Sequence, residues 1–126
     1  MMIQQALILF AHGARDPAWA EPFRRLQSIS QISLPDVTVE LAFLELMKPS
    51  LPEEVEKLVA AGIRQVTVVP VFLGQGGHVR RDLPLLIEQL RQTYPSVVFK
   101  IAAAAGEDAG VLQALAQYCV TTAQDE

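Results

Sequence analysis

Ile3-Gln4-Gln5-Ala6-Leu7-Ile8-Leu9-Phe10-Ala11-His12-Gly13 is the stretch that decides the fold. It is almost continuously apolar, rich in leucine and isoleucine, and stops at His12-Gly13. A strand wetted on one face alternates apolar and polar residues. A run without that alternation, closed by glycine, predicts a strand buried on both faces.

Working outward, Asp16-Pro17 supplies an N-cap followed by proline in a first turn. Trp19, Phe23, Leu26 and Ile29 then recur at helical spacing, which predicts a first helix to about residue 32. Leu34-Pro35-Asp36 breaks it. Residues 37–44 alternate as a second strand. Ser50 and Glu53 hold the positions of a capping box at the head of a second helix, whose stripe is Leu51, Val55, Leu58 and Val59. Residues 66–72 read as a third strand, and Gly74-Gln75-Gly76-Gly77 as a flexible loop ending at His78. A third helix is expected after Arg81-Asp82, carrying Leu83, Leu86, Ile87 and Leu90. A fourth strand is expected over residues 97–103. A last helix over about residues 108–121 has Val111, Leu112, Leu115 and Tyr118 as its stripe. The order is βαβαβαβα. Short loops and right-handed crossovers turn that order into an α/β fold: a four-stranded parallel sheet with helices on both faces, in one domain over residues 1–126.

Composition narrows the function classes. Hydrophobic residues make up 51% and charged residues 19%, which excludes a disordered chain. A net charge of −4 argues against a general nucleic-acid binder. No apolar run reaches the roughly 18 residues that span a bilayer. The start has no basic region ahead of an apolar core, so a cytoplasmic protein is expected, with no membrane partner. The single cysteine, Cys119, permits no intrachain disulfide and reads as an apolar filler of the last helix.

In parallel sheets of this kind, ligands bind outside the carboxyl ends of the strands. The two histidines of the chain, His12 and His78, both fall there, and Glu45 follows the second strand. Imidazole and carboxylate are ligands for divalent transition metals, and such a set leaves open positions on the ion. Histidine also accepts protons near neutral pH. The loop glycines match neither a dinucleotide fingerprint, which would need glycine where Val79 stands, nor a Walker loop. No nucleotide is therefore expected. Gly76 and Gly77 instead allow a flat ligand to approach the backbone closely. Arg15, Arg80 and Arg81 flank the histidines and suit an anionic substrate.

Three motifs together resemble the CbiX-type sirohydrochlorin chelatases. HGARDP at residues 12–17 is similar to the family's HGSRDP opening, with Ala14 where serine is common. ELAFLELMKPSL at residues 40–51 resembles its second motif, and VPVFLGQGGHVRRDLP at residues 69–84 its most distinctive one. The resemblance covers about residues 5–120. It implies a flavodoxin-like class II chelatase half and ATP-independent insertion of Co²⁺ into sirohydrochlorin, with Fe²⁺ or Ni²⁺ in some members. It also implies a homodimer for a chain of this length. By the same resemblance, His12, His78 and Glu45 are the metal-binding and catalytic residues. Gly76, Gly77, Arg15, Arg80 and Arg81 are then the residues around the tetrapyrrole, the arginines by their charge alone. A non-catalytic tetrapyrrole or metal carrier, a siroheme ferrochelatase and a flavin-binding electron carrier are the alternatives.

Overall fold

The computed structural model describes residues 4–125, the side chain of His78 apart. Four strands, β1 Gln5–Ala11, β2 Val37–Phe43, β3 Gln65–Pro70 and β4 Val98–Ile101, alternate with four helices. These are α1 Glu21–Ser33, α2 Leu51–Ala60, α3 Gly77–Thr93 and α4 Ala109–Gln124. Short 3-10 turns, Pro17–Ala20 and Ala105–Glu107, precede α1 and α4. The sheet is parallel throughout in the order β2-β1-β3-β4. The apolar run of the opening stretch is thus a central strand. Ile3 lies outside the described residues.

Side chains of β1 divide by parity. Ala6, Ile8 and Phe10 join α2 and α3 in the larger core with Val55, Leu58, Leu83 and Ile87. Leu9 and Ala11 face the other way, onto a smaller cluster with Val39, Leu41, Phe43, Trp19 and Phe23. Side chains occupy part of the outward-facing backbone on both sheet edges. Gln31 bonds the Val37 carbonyl and the Val39 amide, and Gln27 bonds the Val39 carbonyl. On the far edge, Arg91 donates to the Phe99 carbonyl at 3.0 Å.

The capping box forms as its spacing requires. The Glu53 amide donates to Ser50 Oγ, and the Glu53 carboxylate accepts from the Ser50 amide at 2.8 Å. The bond from the Ser50 amide first, and the Ser50 side chain second, hold the Glu53 carboxyl below its ordinary pKa.

Two expectations need correction. The third helix begins at Gly77, not after Asp82, so His78, Arg80 and Arg81 are helical rather than in a loop. Asp82 and Pro84 carry a helix-start signal, yet Pro84 lies inside the helix. Burying Val79 in line with Leu83, Ile87 and Leu90 outweighs that signal and draws the first turn back to Gly77. The second correction concerns α4, which begins close to its expected start, capped by the Asp108 side chain on the Val111 amide, but does not bury its stripe. Val111, Leu112, Leu115 and Tyr118 are all exposed, Tyr118 at 70%. Cys119 is exposed with them, so it fills no core.

Candidate active site at the carboxyl ends of β1 and β3

Strand β1 connects to β2 on one side and β3 lies on the other, so the order reverses between β1 and β3. That switch point is where parallel sheets open a crevice. His12 leaves the end of β1 there, half-buried, with its ring 4.4 Å from that of Phe72 at an interplanar angle of 62°. A hollow of ≈610 Å³ opens beside it, lined by His12, Gly13, Trp19, Val71, Phe72, Leu73 and Gly74. Its volume lies in the range of small-molecule sites.

Backbone bonds bring Glu45 to the same place. The Leu44 amide donates to the Ala11 carbonyl at 2.8 Å, and the Glu45 amide to the His12 carbonyl at 3.0 Å. Gly13 makes the approach feasible. Its φ is +91°, and a Cβ there would overlap the Glu45 carbonyl oxygen. Leu46, the next residue, takes a left-handed φ of 64° that a leucine adopts only at a cost. Glu45 itself is exposed.

His78 sits in the first turn of α3, beyond the glycine loop. Its side chain is outside what the structure describes. Among the described residues, no three histidine, cysteine, aspartate or glutamate side chains gather tightly enough to hold an ion. Gly74, Gly76 and Gly77 have open space where a side chain would stand, with no chain atom within 4 Å. Arg15, Arg80 and Arg81 are exposed. Among the described residues no helix is long and apolar enough to cross a membrane.

Trp19 and Phe72 were legible only as apolar members of a helix and a strand; the folded chain makes them walls of the hollow. The signal in the sequence was their position, just past the strand ends at the switch point. A second hollow, of ≈490 Å³, lies at the β2 edge among Arg24, Glu40, Lys48, Glu54 and Lys57. Glu54 is 2% exposed there, and burial, then the Glu40 charge, push its carboxyl pKa up. Lys57, 3.7 Å away, offsets part of that cost. None of the expected metal-binding, catalytic or tetrapyrrole-contacting residues lines this second hollow, although the motif over residues 40–51 contributes Glu40, Leu41, Phe43, Lys48 and Pro49 to it.

Comparison with known proteins agrees with the fold. A CbiX protein from Marinobacter aquaeolei VT8, described as a putative cobalamin biosynthesis protein, superposes with a TM-score of 0.84. It is 32% identical, and the match covers 95% of this chain and 98% of that one. The sirohydrochlorin chelatase SirB of Bacillus subtilis subspecies spizizenii has the same fold at 24% identity and a TM-score of 0.80. The chain covers 51% of SirB and 94% of itself is matched. A sirohydrochlorin cobaltochelatase from Methanocaldococcus jannaschii is 36% identical over 84 residues, 66% of this chain. The chain spans just 58% of that relative's length, and 58% and 57% of the Methanococcus aeolicus and Methanopyrus kandleri enzymes. The family model matches residues 6–122, nearly the whole of the described fold, and the chain belongs to the CbiX family.

Proposed function

We propose that the chain inserts a divalent metal, Co²⁺ first among candidates, into sirohydrochlorin without a nucleotide. One observation carries the reading: His12 stands at the β1–β3 switch point, beside an open hollow and stitched through its backbone to Glu45. The relatives' names supply the substrate and point to cobalt.

The chemistry suits these groups. Metal entry displaces two N–H protons from the macrocycle, so an acceptor near the ring nitrogens is required. In this reading His12 and His78 hold the incoming ion with Glu45, then take up protons as the ion leaves them. Ligation by few side chains with open positions allows release, which a closed structural site would resist. The bare flanks of Gly76 and Gly77 leave room for the ring plane, and Arg15, Arg80 and Arg81 meet its carboxylates.

The working unit is a homodimer of cytoplasmic chains, each a single chelatase unit over residues 1–126. Two uncovered apolar surfaces support this. The stripe of α4 is exposed, and on the α1 side of the sheet Val98 is 63% exposed. In this reading the α4 stripe of a second copy covers that half of the sheet.

The test is metal insertion into reduced sirohydrochlorin, followed by absorbance. The wild type should accelerate insertion of Co²⁺, and His12→Ala should lose about 100-fold or more. Absence of acceleration with each of Co²⁺, Fe²⁺ and Ni²⁺ would sink the enzyme reading. Tight tetrapyrrole binding without turnover would mark a carrier.

A further inference from the structure

We propose that Gly106 is a positioning residue for His12, acting through Phe72; the proposal rests on the placement of His12 in the site. Gly106 lies in the 3-10 turn Ala105–Glu107 and does not line the hollow. Its amide donates to the Phe72 carbonyl at 2.8 Å. A Cβ on Gly106 would overlap the carbonyl oxygen, carbonyl carbon and Cα of Leu73. The turn therefore lies flat on the Phe72–Leu73 backbone at a separation that only glycine permits.

The location of this contact gives it consequence. Strand β3 ends at Pro70, and the Val71 amide donates to the Phe10 carbonyl at 2.8 Å. Past that bond the chain runs out toward exposed Leu73 and the glycine loop. The bond from Gly106 thus holds the backbone at the last residue before the loop leaves the body of the protein. The side chain of that residue is the Phe72 ring, 7% exposed, packed 6.0 Å from Phe10 and 4.4 Å from His12. Fully buried Ala104 anchors the turn from below. Displacing the Leu73 backbone moves Phe72, and Phe72 is the wall against which the imidazole rests. An imidazole that must face both an ion and a ring nitrogen is sensitive to such a shift.

The experiment reads the His12 ring directly. The chain has two histidines, so a His78→Ala background leaves one set of imidazole proton resonances. In that background, Gly106→Ala and Phe72→Leu should each shift the His12 resonances, because the Phe72 ring current is moved or removed. In the otherwise native chain, each should lower kcat about 10-fold or more with KM nearly unchanged. A folded Gly106→Ala protein with native His12 resonances and native kcat overturns the proposal. Where Gly106→Ala does not fold, Phe72→Leu decides, and unchanged His12 resonances overturn it equally. The resonances are read without substrate. A wild type lacking insertion activity therefore refutes the function while leaving this test readable.

Discussion

On the face covered by α2 and α3, the sheet closes over itself: Ile8, Val55, Val66, Val68 and Ile87 are fully buried in one continuous cluster. On the opposite face, the first 3-10 turn and α1 cover β1 and β2, but α1 buries no residue fully, and β4 turns Val98 and Lys100 to solvent. Helix α4 reaches only as far as the adjoining 3-10 turn for its main contacts. The first face is a self-sufficient core. The second leaves the α4 stripe and Val98 exposed, a larger apolar area than isolated surface residues account for.

Breaking the closed face should have the largest effect. Ile87→Ala leaves a cavity at a fully buried position and should cost about 3 kcal/mol of unfolding free energy, measured by denaturant titration. A loss below about 1 kcal/mol would mean that this face is less tightly built than its burial indicates.

Glu54 sharpens the contrast at the sheet edge. Its carboxyl pKa is raised, by burial first and by Glu40 second, so the folded state holds the proton more tightly than the unfolded chain. Its unfavourable contribution is therefore absent below the ordinary value of 4.5 and grows as pH rises through the folded-state pKa. Glu54→Gln should stabilise the protein by about 1 kcal/mol at pH 7, with the gain shrinking toward pH 4. Denaturant midpoints at the two pH values check this, and a gain independent of pH would refute the assignment.

The open face should show the smallest effect on the fold and a large one on assembly. Leu115→Asp places a charge in the α4 stripe and should leave the helical circular dichroism unchanged, since Leu115 packs into no core of the protomer. By sedimentation it should convert a dimer to a monomer. A wild type that sediments as a monomer would refute the reading of the open face as an interface.

Much of this was legible in the residues. The unbroken run of β1, the Asp16 cap and the Ser50–Glu53 box are short-range signals whose geometry is local, and each formed as written. The start of α3 was not. There a local signal at Asp82 and Pro84 competed with burial of Val79, and burial against a distant strand cannot be seen from neighbours along the chain. For the site, the position of His12 at a strand end was readable. Its contacts with Phe72 and with the Glu45 backbone were not, since they join residues brought together by the sheet.

Periodicity, caps and glycine breaks act over a few residues, so the alternation of strands and helices, the parallel sheet and the motifs that carry the family could all be read from the residues alone. The strand order, the hollow between β1 and β3, the close seat of Gly106 on Leu73 and the exposure of α4 emerged only with folding. Those depend on which surfaces meet across the fold. An apolar stripe in a sequence marks the face of a helix that favours burial, but not whether or against what the chain buries it.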